Sequence, residues 1–216
     1  TDGVFASKEP SQEKMNSTDD KWKDSMDDYN VMLVTIGRSS TENGTYLPGV
    51  DGVDASQDLN QTDPLGLSDD ERDLINAAVE AKENNGGKVI VMLNNANAME
   101  IDEIKNNDGV DAIMEIGLPG AYGFYGVADV LSGEANPSGH LTDTYAVTNA
   151  NSPAAQNFGN YAWTNADPSV NINAEEVEAE SIYAGYKYYE TRYADTVLGQ
   201  GNADATVGSS TGSAWN

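Results

Sequence analysis

A long acidic stretch of the sequence offers the clearest opportunity for chemistry. The residues between Arg38 and Leu67 show almost no helical or strand periodicity, and they far outnumber the ~2 to 6 residues usual between a strand and a helix. The carboxyl groups of this stretch belong to Glu42, Asp51, Asp54, Asp58 and Asp63. Carboxylates gathered on one loop can bind calcium or transfer protons as general acids and bases. The spacing of the Asp residues lacks the alternating ligands of a tight calcium loop, which favours proton transfer, although each acid taken singly is also typical of a solvated loop.

The composition removes several other kinds of site. The chain has no Cys, so it can form no disulfide, thiolate metal site or thiol nucleophile. Its one His, His140, argues against a His-based metal cluster and against a Ser-His-Asp triad, because each needs an imidazole beside partners that the sequence does not supply. We therefore expect no metal and no cofactor.

The charge narrows the choice of partners. A net charge of -25 and a pI near 4.1 would repel phosphate backbones and anionic lipids, so neither nucleic acid nor a membrane is expected. The sequence also has no apolar run close to the ~20 residues of a membrane span. The compartment stays open, with a bacterial cytoplasmic enzyme as the interpretation we favour.

A glycine-rich turn is the other candidate for ligand binding. Gly117, Gly120, Gly123 and Gly126 recur at every third position, where a strand is expected to turn into a helix. Such a turn can cradle phosphate at a helix N-terminus. Tyr122 and its aromatic neighbours crowd it, however, so close packing of the helix on the sheet is the better explanation for the glycines.

Alternating strands and helices must position these residues. Three apolar runs predict strands, at Val31–Ile36, Val89–Leu93 and Ala112–Ile116, and the first two have the pattern of strands buried on both faces. Helices are predicted over Asp20–Tyr29, from a capping box at Ser68–Glu71 to Gly86, as a short turn near Met99–Ile104, and over Tyr122–Leu131. This alternation predicts an α/β fold with a parallel sheet, and the acidic stretch leaves the carboxyl end of its first strand, where such sheets bind ligands.

The chain divides into three parts by composition. Residues 1–29 form a leading segment with a short helix, residues 30–148 form the α/β core, and residues 149–216 form a return segment rich in Asn, Ala, Gly and Ser. A short strand is predicted over Thr144–Val147 and an aromatic strand over Ile182–Tyr189. The loop-like tail suggests the place where a longer chain was cut.

Four segments together resemble the family 3 glycoside hydrolases. Gly117–Gly133 followed by Asn136–Leu141 is similar to the family's signature, in which a Pro-Gly-rich turn leads through Ala-Asp-Val-Leu to Asn-Pro-Ser-Gly and a basic residue. The other three segments are similar to the family's Gly-Arg-x-Ser loop, to the start of its next helix, and to its Ile-x-x-Gly-Tyr-Arg-Tyr-Tyr segment: Val31–Ser40, Leu67–Glu71 and Ser181–Tyr189. The resemblance covers about residues 20 to 195.

The resemblance implies a fold and a role. The fold would be a three-layer α/β sandwich with a mostly parallel sheet of about six strands, flavodoxin-like in outline, beside a TIM-like barrel that supplies an Asp nucleophile. The sandwich would lend a loop with the general acid/base Glu of a retaining exo-acting β-glucosidase-like enzyme, and the matching position here is Glu42. The residues expected to contact the sugar are Arg38, Ser40, Tyr46 and Tyr122. Alone, the fragment should be inactive, with Glu42 exposed.

The partners expected from the resemblance are a carbohydrate, terminal β-linked glucose or a related sugar, and the barrel domain of the same parent chain.

Two further interpretations stay open. A noncatalytic carbohydrate-binding or scaffold module would use the same loop and tyrosines only to grip sugar. A flavodoxin-like nucleotide binder would instead retain flavin or phosphate at the glycine-rich turn.

Overall fold

The described part of the chain belongs to two compact units. A computed structural model describes residues 10–38, 63–149, 152–153, 161–163, 172–175 and 180–200. The first unit is Thr1–Thr142 and the second is Asp143–Asn216. The predicted boundaries after residues 29 and 148 stay predictions.

The first unit is built on a parallel sheet. Its helices are α1 Gln12–Thr18, α2 Asp69–Asn85, α3 Asp102–Lys105 and α4 Gly120–Ser132, with a 3₁₀ helix at Asp24–Asp28. Its strands are β1 Val31–Gly37, β2 Lys88–Asn94 and β3 Ala112–Glu115, in the order β1-β2-β3. All neighbours are parallel. The α/β fold with a parallel sheet is thus confirmed.

Helix α2 begins and ends as the sequence predicts. The Ser68 hydroxyl accepts a hydrogen bond from the Glu71 N–H at 3.2 Å, and the Glu71 carboxylate accepts one from the Ser68 N–H at 2.8 Å. Gly86 closes the helix with φ at 75°, in the left-handed region that glycine adopts without steric cost. Both ends of the crossover from β1 to β2 are therefore specified locally.

Most of the core of the first unit lies on one face of the sheet, and Met92 of β2 is buried on the other. Strand pairing sets Met32 beside Val89 and Val34 beside Val91, so these buried side chains share a face. Helix α2 contacts both strands and buries a stripe that includes Ile75, Ala78 and Ala81. Each large aliphatic side chain removed from water in this way contributes about 1.5–3 kcal/mol.

The opposite face of β1 is open. Val31 and Leu33, which alternate with the buried residues, are 48% and 47% exposed. The prediction that this strand is buried on both faces is wrong, because α2 covers only one of them. An apolar surface therefore remains on β1.

The segment before β1 is not the predicted helix over Asp20–Tyr29. A 3₁₀ helix of five residues forms at Asp24–Asp28 instead. The Asn85 side chain donates to the carbonyls of Met26 and Tyr29, at 3.3 and 2.8 Å. These bonds tie the last carbonyls of this segment to the end of α2.

The predicted strand over Thr144–Val147 is also not formed. The segment is irregular, with Tyr145 and Ala146 half-buried. So short a segment becomes a strand only where a sheet edge accepts its backbone hydrogen bonds, and in the described residues β3 pairs with β2 alone.

The second unit contains a small hairpin-like pair and a helix. Strands β4 Tyr161–Trp163 and β5 Ile172–Glu175 are antiparallel. The predicted aromatic strand over Ile182–Tyr189 is instead a 3₁₀ helix at Ser181–Tyr183 followed by helix α5, Tyr186–Thr196. Aromatic residues on both strand parities also satisfy helical spacing, and here the rings of Tyr188 and Tyr189 meet edge to face at 5.3 Å. Burial raises the pKa of Tyr189.

No helix in the described residues combines the length and the apolar character needed to cross a lipid bilayer.

Candidate functional site

The carboxyl edge of the parallel sheet is the candidate site. Arg38 directly follows β1, Asn95 directly follows β2, and Gly117 lies two residues after β3. Because parallel strands end together, these residues gather at one edge, which is where open α/β sheets bind ligands. The sequence that contains Glu42 starts at this edge.

Arg38 is buried there and fully hydrogen-bonded. Its side chain is 1% exposed. The Nε donates to the Pro64 carbonyl at 2.9 Å, and Nη2 donates to the Gly66 carbonyl at 2.7 Å. Nη1 donates to the Gly37 carbonyl at 2.8 Å, and Nη1 and Nη2 donate to the two carboxylate oxygens of Glu71 at 2.5 and 2.9 Å. These contacts use every N–H of a guanidinium group.

Glu71 completes the arrangement from the first turn of α2. Its side chain is 5% exposed, and the oxygen that accepts from Arg38 Nη2 also accepts from the Ser68 N–H at 2.8 Å. One carboxylate therefore caps a helix and neutralises a buried guanidinium. A two-point pair of this kind is geometrically specific, and removal of either partner would leave an uncompensated buried charge.

The structure places two of the five predicted site residues. Arg38 has all its donors occupied by the protein, so a sugar could bind it only by displacing one of these partners. Tyr122, in the first turn of α4, is 86% exposed. Ser40, Glu42 and Tyr46 lie outside the described residues. The predicted roles of all five stay predictions.

Asparagines at the end of β2 were not anticipated from the sequence. The Asn94 side chain donates to the Gly117 carbonyl at 2.6 Å, while the Gly117 N–H donates to Glu115 at 2.7 Å. Buried Asn95 accepts from the Asn97 N–H at 2.9 Å and thereby closes its own turn. The available signal was a pair of amides immediately after an apolar run. Asn94 thus holds the turn that leads to α4, and Asn95 holds the turn after β2.

The glycines of that turn do not serve close helix-to-sheet packing. Gly117 has φ at 59°, so its backbone conformation explains the glycine there. A Cβ at Gly126 would meet no atom within 4 Å. Helix α4 has no buried residue, and Tyr125 beside the turn is 72% exposed. The packing explanation is therefore wrong, and α4 presents aromatic side chains to solvent.

A second charged cluster lies at the opposite, amino edge. Asp111 forms ion pairs with Lys82 at 2.8 Å and Lys88 at 2.9 Å, and it accepts from the Val89 N–H at 2.9 Å. Hydrogen bonds from Lys82 above all, then from Lys88 and the backbone, hold the pKa of Asp111 well below its ordinary range. In the described ranges no three Asp, Glu or His side chains are placed to share a metal ion.

Comparison with known proteins identifies relatives over most of the chain. Residues 6–191 match the family described as glycosyl hydrolase family 3 C-terminal domain. The thermostable beta-glucosidase B of Acetivibrio thermocellus is 27% identical over 169 residues, which are 78% of this chain and 20% of the relative. A beta-glucosidase of Ruminococcus albus is 27% identical over 193 residues, 86% of this chain and 17% of the relative.

Solved structures give the same result. Beta-glucosidase 3B from Thermotoga neapolitana, in complex with glycerol, matches with a TM-score of 0.59 and 30% identity over 78% of this chain and 21% of the neighbour. The same enzyme in complex with glucose matches with a TM-score of 0.58 and 30% identity, with the same coverage. The chain thus spans about a fifth of the length of these proteins.

Proposed function

The chain belongs to the glycosyl hydrolase family 3 C-terminal domain, and from that membership we propose that it completes the active site of a retaining, exo-acting β-glycosidase. In this proposal the rest of the site lies on a TIM-like barrel of the same parent chain. The substrate is a terminal β-linked glucose or a related sugar. We also propose that the sheet has about six strands in all, of which the described residues form three.

The position of Arg38 carries the proposal. Arg38 marks the carboxyl end of β1, so the acidic sequence that follows it begins at the ligand-binding edge of the fold. Retaining glycosidases need two carboxyl groups about 5 to 5.5 Å apart, one to attack the anomeric carbon and one to protonate the leaving oxygen. We assign the second role to Glu42, and the first to an Asp of the barrel.

A lone acid/base cannot complete this reaction. Without the nucleophile no glycosyl-enzyme forms. Without the barrel nothing raises the pKa of the Glu42 carboxyl into the range that a general acid needs. The chain by itself should therefore be silent. The likeness to beta-glucosidases, of which it spans about a fifth, supports this division of labour.

The test is hydrolysis of an aryl β-glucoside, first by this chain alone and then after addition of the separately expressed barrel half of its parent. Silence followed by activity on mixing is expected. Glu42→Ala should then reduce turnover by about 10²–10⁴-fold, with partial rescue by azide, which replaces the water that the base would activate. Turnover by the chain alone would contradict the proposal.

One observation favours a second function. Tyr122 and Tyr125 are 86% and 72% exposed on the first turns of α4, and exposed aromatic faces can stack on sugar rings. A noncatalytic carbohydrate-binding module would bind glucose saturably as the isolated chain, and Tyr122→Ala would weaken that binding. Full activity of the assembled enzyme with Glu42→Ala would favour this function over catalysis.

A further inference from the structure

The buried pair of Arg38 and Glu71 lies at the base of the sequence that contains Glu42. We propose that this pair is a positioning device for the acid/base carboxyl, an inference that rests on the catalytic role proposed for Glu42. Neither residue needs to touch the sugar. Their task is to fix the two ends of segment 39–62 against the sheet and against α2.

The guanidinium joins points that are far apart in sequence. It holds its own strand end through the Gly37 carbonyl, and it holds the returning chain through Pro64 and Gly66, which lie 26 and 28 positions away. Glu71, 33 positions away, anchors the same group to the first turn of α2. One side chain therefore closes the segment where it leaves the sheet and where it comes back.

The anchor is itself fixed. The Glu71 carboxylate accepts from the Ser68 N–H, and the Ser68 hydroxyl accepts from the Glu71 N–H, so the capping box keeps the carboxylate in one orientation. Ile75, one turn further on, is buried and sets the rotation of α2. The position of β1 relative to α2 is thus transmitted to both ends of the segment.

Lysine could not replace this arginine. An ammonium group has three donors around one nitrogen, whereas the arginine here serves two carboxylate oxygens and three carbonyls in one plane. In an Arg38→Lys variant, at least one end of the segment would lose its bond. A displacement of about 1 Å in a catalytic group can cost about 10²-fold in rate.

The reaction offers a direct way to detect a misplaced acid. A methyl β-glucoside has a poor leaving group, so its cleavage needs proton donation. The dinitrophenolate of a dinitrophenyl β-glucoside is a good leaving group and departs without it. In the full-length enzyme, Arg38→Lys should lower kcat/KM for the methyl glucoside by about 10- to 100-fold. For the dinitrophenyl glucoside the loss should stay below about threefold, because nucleophilic attack is unaffected.

Two variants make the measurement specific. Glu71→Gln keeps the length of the side chain and an acceptor for the Ser68 N–H but removes the charge, so it should show the same selectivity, and it serves if Arg38→Lys does not fold. Asp111→Asn removes an ion-pair partner at the amino edge, away from the segment, and should change kcat/KM for the two substrates by equal factors.

The outcomes separate the two proposals. Equal losses on both substrates with Arg38→Lys and Glu71→Gln would reduce the pair to a purely structural role and overturn the inference. Glu42→Ala serves as the reference. Selective loss with Glu42→Ala but not with the Arg38 and Glu71 variants would overturn the positioning role alone, whereas no selectivity with Glu42→Ala would overturn both proposals.

Discussion

The two edges of the same parallel sheet use charge in different ways. At the carboxyl edge, Arg38 and Glu71 are 1% and 5% exposed, and Arg38 donates to the carbonyls of Gly37, Pro64 and Gly66. At the amino edge, Asp111 and Lys82 are about one-fifth exposed and Lys88 is 64% exposed. The first pair is shielded from water, and the second cluster is in partial contact with it.

The difference follows from what each edge has to hold. The amino edge joins regular elements, since Asp111 ties the last turn of α2 to the start of β2 next to it. Water screens such a cluster, so its loss is tolerable. The carboxyl edge joins residues on either side of segment 39–62, Gly37 before it and Pro64 and Gly66 after it, and a buried pair does this with a defined geometry. Charge is therefore buried at the edge to which we assign the chemistry, and it stays in contact with water at the edge that joins α2 to β2.

The largest effect is expected at the carboxyl edge. Arg38→Met should lower the free energy of unfolding by about 3–5 kcal/mol, because Glu71 would be left charged and buried without its partner. Urea denaturation of the chain measures this value.

Coupling between the two residues is the control for that result. Glu71→Leu should cost a similar amount, and the double variant Arg38→Met/Glu71→Leu should cost less than the sum of the two. Strictly additive losses in the free energy of unfolding would mean that the two charges do not stabilise each other. That result would contradict the difference between the two edges.

The next effect concerns the cap that orients Glu71. Ser68→Ala removes the acceptor for the Glu71 N–H and should cost about 1 kcal/mol in the same urea experiment. Ser132→Ala removes an exposed hydroxyl that donates to the Asp129 carbonyl near the end of α4, and it should cost less than about 0.5 kcal/mol. Equal costs would show that the cap has no special weight.

The contribution of the amino edge to the free energy of unfolding should depend on pH. The pKa of Asp111 in the folded chain lies well below its ordinary value of 3.8, so the carboxylate stabilises the fold above about pH 4 and loses that effect as the pH falls further. Asp111→Asn should therefore be less stable than the parent at pH 6, and the gap should narrow below pH 4. Denaturation curves at low protein concentration test this, and a gap that is constant with pH would contradict it.

The smallest effect is expected on the outer surface of α2. Arg72 pairs with Glu103 at 2.6 Å and with Asp69 at 2.7 Å, and the side chains of Arg72 and Glu103 are 35% and 53% exposed. The hydrogen bond that Arg72 donates to the Glu103 carboxylate raises the pKa of Arg72. Glu103→Gln should nevertheless cost less than about 1 kcal/mol, and the cost should shrink further in high salt. A salt-independent loss would place this pair with the buried one.

Local rules predicted the first unit well. Ser68 and Glu71 specify the start of α2 within four positions, and apolar runs bounded by glycine or polar residues identified β1, β2 and β3. These signals succeed because they depend on neighbours in sequence. The resemblance to family 3 was confirmed for the same reason, since it rests on contiguous segments.

The sequence-based predictions failed where the local structure depends on residues far away in the chain. The 3₁₀ helix Asp24–Asp28 and the residue after it are tied to the end of α2 by Asn85, and no pattern near that turn indicates this contact. The tyrosines of α5 satisfy both helical and strand spacing, so the choice depends on what they pack against. Likewise, the sequence predicted the cap at Glu71, which is confirmed, and a sugar contact at Arg38, which stays a prediction. Their pairing depends on a crossover of 33 positions.

The open face of β1 has a consequence for handling the protein. Val31 and Leu33 leave an apolar strip about half exposed, and the net charge of -25 keeps two copies apart near neutral pH. Near the pI of about 4.1 that repulsion vanishes, and the strips of separate molecules can meet. Colloidal stability at neutral pH is thus supplied by the acidic surface, and a buffer near pH 4.1 removes the repulsion on which it depends.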